Sequence, residues 1–165
     1  MTPGSKRPDL RCIGESAFAE VLSNLSLQPT TVRNSDGHSP LPVAPDQITS
    51  TVSLAGQRLS GSVHVQLPQA FVAHAVHLLT GLDGVAGDTN AVQDDTAGEL
   101  ANMLAGRVAA QLAADGYPCT LGIPSVSHTA RLPIEIQLGA DHGRTDVICE
   151  GHCLSLELQC CYAVP

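Results

Sequence analysis

Two runs of strict alternation, joined by a short Gly-containing connection, constrain this chain more than any other feature. Ile48, Ser50, Val52 and Leu54 alternate with Thr49, Thr51 and Ser53; then Leu59, Gly61, Val63, Val65 and Leu67 alternate with Ser60, Ser62, His64 and Gln66. A side-chain period of two sends each set to its own face of a strand, so each run predicts a half-buried strand. Ala55-Gly56-Gln57 between them closes an antiparallel hairpin.

Helical spacing flanks the hairpin. Ile13, Ala17, Val21 and Leu25, with Phe18 and Leu22 beside them, predict an amphipathic helix within Cys12–Leu27. Residues 1–10 read as a disordered or loosely attached tail before a single domain over 11–165, and the Pro-rich stretch Gln28–Asp46 reads as a connecting loop. Pro68 opens a second helix, in which Val72, Ala75, Val76 and Leu79 form the buried stripe and which Gly81 ends. Gly84 to Asn90 reads as a loop before a long helix that starts near Asp94 or Asp95 and stops at Gly116 and Pro118. An Asp at a helix start can cap free N–H groups, and that is the first expectation for Asp95. Strands are expected at Thr120–His128, Leu132–Leu138, Thr145–Glu150 and Cys153–Tyr162, with Gly151-His152 as a hairpin turn. Strand runs joined by tight turns, with helices grouped between them, predict an α+β domain in which long helices pack on one face of an antiparallel sheet.

With 43% hydrophobic residues but only Phe18, Phe71, Tyr117 and Tyr162 as aromatics, the core must be aliphatic. Acidic residues outnumber basic ones by 16 to 8, a formal charge of −8, which argues against a nucleic-acid partner. No apolar run is long enough to span a membrane and the start lacks an apolar signal core, so a cytoplasmic protein is expected. The six cysteines are then expected to be reduced. Cys149, His152 and Cys153 form the one cluster with metal-like content, but no second pair follows at zinc-site spacing, and no metal is assigned. His74 and His77 stand three apart with no third ligand nearby in sequence, and read as a solvated helix edge.

Chemistry concentrates in the long helix. At about 100° per residue, Asp95, Glu99 and Asn102 share one stripe that continues into Gly106, Ala109 and Ala113. Leu100, Leu104, Val108 and Gln111, flanked by Ala97, Ala101 and Leu112, fall on the opposite side as a buried face. The outward stripe thus offers two carboxylates and a carboxamide, then nothing bulky. A second molecule can come close to it.

The spacing Asp95-x3-Glu99-x2-Asn102-x21-Pro124, with Gly98-Glu99-Leu100-Ala101-Asn102-Met103 and Ala105-Gly106 around it, resembles the signature of the CheC/CheX/FliY phosphatases of bacterial chemotaxis. The resemblance spans most of the chain from about residue 11. It implies hydrolysis of the aspartyl-phosphate on a CheY-like response regulator, with Glu99 and Asn102 as catalytic residues and Asp95, Gly106 and Pro124 in support. It also implies no cofactor of the protein's own, Mg²⁺ on the receiver, and a possible homodimer through an edge strand or the final strands. Ser16-x3-Glu20-x3-Asn24 is a near miss whose extra residue turns Asn24 off the stripe, so one site is expected, as in CheX, rather than two. Two other readings compete: a non-catalytic binding module like FliM of the flagellar switch, and a thiol or metal protein built on Cys149, His152 and Cys153.

Overall fold

The hairpin forms where the alternation places it. In a computed structural model, which describes residues 7–32, 45–81, 89–128 and 137–163, β2 (Gln47–Ala55) and β3 (Leu59–Pro68) pair antiparallel with Val52 opposite Val63 and Ile48 opposite Leu67. The inward set of each strand is buried, and the Gly56 N–H closes the turn on the Leu59 carbonyl at 2.8 Å.

Around it lie α1 (Leu10–Asn24), β1 (Thr30–Thr31), α2 (Gln69–Thr80), α3 (Thr89–Ala114), β4 (Thr120–Leu121), β5 (Ser125–Ser127), β6 (Asp141–Cys149) and β7 (His152–Tyr162). Among the described residues the strands form one seven-stranded antiparallel sheet in the order β1-β6-β7-β3-β2-β4, with β5 also on β2. The helices cover one face of it, so the architecture is the expected α+β. Ile48, Val52, Val63, Val65, Leu154, Leu156 and Leu158 rise from the sheet to meet Phe18 and Val21 of α1, Phe71 and Val72 of α2, and Leu100, Leu104 and Val108 of α3. This core is aliphatic apart from two phenylalanines, a tyrosine and two cysteines, in keeping with the scarcity of aromatic residues.

Several boundaries differ from expectation for local reasons. Residues 7–10 are attached rather than loose: Arg7 pairs with Asp141 at 2.9 Å, and Asp9 caps α1 by accepting from the Arg11 and Cys12 N–H groups. The Cys12 N–H bond holds the Asp9 carboxyl below its usual range. A carboxyl lowered on folding contributes fully above the ordinary Asp value of about 3.9, and its contribution fades as pH falls through the lower folded value. Asp9→Ala should therefore cost about 1 kcal/mol at neutral pH in urea denaturation, and Asp9→Asn much less because Asn caps equally well.

The last hairpin turns at Glu150 and Gly151, one residue earlier than expected, and His152 already pairs with Cys149. Both turn residues have positive φ, 51° and 75°, the arrangement of a tight hairpin whose twist matches its strands. The expected strand Thr120–His128 is broken at residues 122–124 into β4 and β5, which both pair with β2. The long helix starts at Thr89, so Thr89 and Asn90 belong to it and Asp95 lies inside it rather than at its cap. Residues 132–136 of the expected strand, residues 84–88 of the expected loop, residues 33–44 and residues 1–6 lie outside the described residues. The final strand β7 is hydrogen-bonded to β3 on one side and β6 on the other, so it offers no edge for a dimer.

The face away from the helices is polar yet partly closed. A row of side chains in register, Arg144, Glu157, His64 and Thr51, crosses β6, β7, β3 and β2. Arg144 donates to Glu157 at 2.9 Å and to Asp146 at 3.0 Å, and the Ser155 hydroxyl donates to Asp146 at 2.6 Å. Glu157 is only 8% exposed, so its charge depends on these partners. Thr51 and Ser62 hydroxyls hold the two ring nitrogens of His64 at 2.9 and 2.8 Å. Burial pushes this imidazole below the ordinary histidine range; Glu157 opposes the shift and His142 adds to it.

Candidate functional site on helix α3

α3 is held by the sheet, α1, α2 and the Pro124 segment, and its outward stripe carries the signature. Its apolar residues Ala97, Leu100, Ala101, Leu104, Ala105, Val108 and Leu112 are buried against the sheet. Toward α1, the Gln111 carboxamide donates to the Ser16 hydroxyl at 2.6 Å and Arg107 pairs with Glu20. Ser16 and Glu20, two members of the near-miss motif, thus fasten α1 to α3, while Asn24 stays exposed at the end of α1. Toward α2, Gln69 donates to Gln93 at 2.9 Å.

On the remaining flank the side chains of Pro124 and of Val126 in β5 lie against Gly98. A Cβ built on Gly98 would lie 3.8 Å from the Pro124 Cβ and 3.7 Å from Val126 Cγ2, so the ring of Pro124 rests on the helix one residue before Glu99. The spacing of 21 residues between Asn102 and Pro124 is thereby closed in space. One turn toward the N-terminus of α3, His128 just past β5 pairs with Asp94 at 2.5 Å. The Pro124 segment is held to α3 at two points. Sequence reasoning missed the His128–Asp94 tether, since the two residues are 34 apart and only the path of β5 brings them together.

Outward, Asp95, Glu99 and Asn102 are exposed on one stripe. Gly106 follows on the same stripe, and a Cβ there would meet nothing within 4 Å. Glycine inside a helix costs about 1 kcal/mol relative to alanine, and no contact among the described residues requires Gly106. Its effect is to keep the surface low beside Glu99 and Asn102. The arrangement presents a hydrogen-bonding carboxamide and a carboxylate on a rigid helix, without a buried cleft.

The cysteine and histidine clusters do not converge in this way. Cys149 and His152 are a cross-strand pair, whereas Cys153, the next residue, points to the opposite face, as strand alternation requires. None of the six cysteines is in a disulfide. Burial pushes the thiols of Cys119, Cys149 and Cys153 upward and that of Cys160 up to about 12, which disfavours thiolate chemistry. His74 and His77 are both exposed on α2. No described helix is long and apolar enough to cross a membrane.

The profile of the family described as chemotaxis phosphatase CheX matches residues 48–147, more than half of the chain. The chain belongs to this family. The match runs from the first strand of the hairpin through α3 and Pro124 into β6. Among solved structures, the chain resembles the chemotaxis protein CheX of Vibrio vulnificus with a TM-score of 0.74 at 15% identity, over 94% of this chain and 98% of that one. CheX of Desulfovibrio desulfuricans gives a TM-score of 0.69 at 21% identity, covering 93% and 99%. A chain of the CheX–CheY–BeF3–Mg²⁺ complex of Borrelia burgdorferi gives 0.64 at 17%, covering 93% and 99%. These likenesses establish the CheX fold over nearly the whole chain. No curated protein matches the sequence.

Proposed function

We propose that this CheX-family domain hydrolyses the aspartyl-phosphate of a CheY-like receiver, using Glu99 and Asn102. The observation that carries the reading is the stripe itself: both residues exposed on a helix fixed on its other sides, with Gly106 leaving room for a partner to approach. Membership of a phosphatase family and the CheX–CheY complex known for a relative of the same fold support it.

The chemistry asks little of the protein beyond position. Phosphoryl transfer passes through a loose transition state, so an in-line water and charge neutralisation matter more than a covalent helper. In the step proposed, the water oxygen bonds to phosphorus as the bond to the aspartyl oxygen breaks, releasing the receiver's carboxylate and inorganic phosphate, which takes the water proton. Asn102 would hold the attacking water, its carboxamide having both a donor and an acceptor. Glu99 would pair with a lysine of the receiver and fix its orientation. The Mg²⁺ would be the receiver's, and Asp95 would add negative charge along the same ridge.

The direct test is phosphate loss from a Mg²⁺-loaded, phosphorylated CheY-like receiver, with and without the protein. Acceleration sustains the reading. If no receiver from the same genome loses phosphate faster, the domain is a binding module instead.

A further inference from the structure

The catalytic stripe is small and polar, which suits chemistry but buries little apolar surface. Stable docking rests on a few well-buried anchors, usually large side chains surrounded by near-neutral contacts. The described residues include three exposed large hydrophobic side chains: Leu78 at 37%, Ile123 at 93% and Leu138 at 105%. Leu78 lies on α2, and Leu138 lies in the connection before β6. Ile123 adjoins the Glu99 end of α3, because its neighbour Pro124 is the residue that rests on Gly98.

The segment carrying Ile123 is held rigidly. Leu121 pairs with Leu54 on one side and Ser125 with Thr51 on the other. Between them the Gly122 N–H donates to the Ser53 carbonyl at 2.9 Å. A Cβ on Gly122 would crowd the Ser53 hydroxyl and turn it aside, so the segment lies close against β2. An isoleucine on so fixed a backbone gains nothing from the fold at 93% exposure, and little conformational freedom is lost if a partner covers it.

Ile123 also stands on a particular side of the stripe. Gly98 and Asn102 are four apart and therefore neighbours on the helix surface, so the Pro124 ridge runs along the Asn102 side. Glu99 is displaced toward the opposite flank, where Met103 is half-buried. A body seated over Asn102 and Glu99 would meet Ile123 at its margin.

We propose that Ile123 is the apolar anchor by which this domain docks a phosphorylated receiver, becoming covered when the receiver seats over Glu99 and Asn102. The inference rests on the phosphatase reading above, and it adds a residue that determines partner affinity rather than reaction rate. Burying an isoleucine is large enough to govern affinity by about tenfold or more.

The test measures steady-state dephosphorylation of a Mg²⁺-loaded CheY-like receiver by wild type, Ile123→Asp, Ile123→Val and Asn102→Ala. Circular dichroism on each confirms that an exposed substitution leaves the fold intact. Ile123→Asp should raise KM about tenfold or more with kcat within about twofold, and Ile123→Val should restore most of the affinity. Asn102→Ala should show the converse, a fall in kcat. If Ile123→Asp matches wild type while Asn102→Ala is inactive, the anchor is refuted and the phosphatase reading survives. If wild type accelerates no receiver, both fail.

Discussion

Asn102→Ala is expected to fold normally and to lose about 10²–10³-fold in receiver dephosphorylation, the effect of removing one positioned hydrogen-bonding group from a reacting water. The fold should be untouched because the Asn102 side chain is exposed and the helix is held through Leu100, Leu104 and Val108. Alanine is also the better helix former, so stability should rise slightly if it changes at all. Loss of rate without loss of stability separates a catalytic carboxamide from a structural one. Glu99→Ala should differ in kind: with its proposed lysine partner unpaired, KM should rise about tenfold while much of the turnover at saturation remains. Equal falls in kcat for both variants would merge their roles; unchanged rates for both would remove the site from this stripe.

Arg144→Met should be the most damaging single change on the sheet's polar face. Its guanidinium serves Glu157 and Asp146, whose side chains are 10% and 12% exposed. Removing it leaves two nearly buried carboxylates with only His142 at 3.2 Å from Glu157 and the Ser155 hydroxyl on Asp146, a loss of about 3 kcal/mol. Native domains hold only about 5–15 kcal/mol, so much of the folded margin goes with one residue. Urea denaturation should show a lower midpoint at unchanged slope. Converting Arg144, Asp146 and Glu157 together to apolar residues should recover most of the loss, since a well-packed replacement removes the desolvation penalty along with the attraction. A triple variant no more stable than Arg144→Met would show that the network does more than neutralise itself.

What the sequence could disclose followed from local periodicity. The β2–β3 hairpin, the buried stripes of α1 and α2 and the outward set Asp95, Glu99 and Asn102 depend on repeats of two or about 3.6 residues, and these need only the chain's own geometry. Gly81 could be recognised as the end of α2 because its left-handed φ of 65° is a conformation side chains resist. Boundaries were harder. Thr89 and Asn90 are polar enough to pass for a loop, yet α3 begins at Thr89, and Gln93 and Asp94 near its start find partners in Gln69 and His128. Those partners are 24 and 34 residues away, beyond any local pattern.

The family spacing could likewise be read along the chain, but not its meaning in space. Pro124 acquires its place only when β4 and β5 both return to β2 and lay the intervening segment against Gly98. That path, rather than the interval of 21 residues, sets Ile123 beside the helix. The same holds for the strand order β1-β6-β7-β3-β2-β4, which no alternation pattern encodes, and for the half-buried row Arg144–Glu157–His64–Thr51, which forms only when four strands pair in register. Periodicity determines which face of an element a residue occupies, because that is fixed by bonds between near neighbours. Which faces then meet is decided by packing across the whole chain, where burial and hydrogen-bond satisfaction act between residues far apart in sequence.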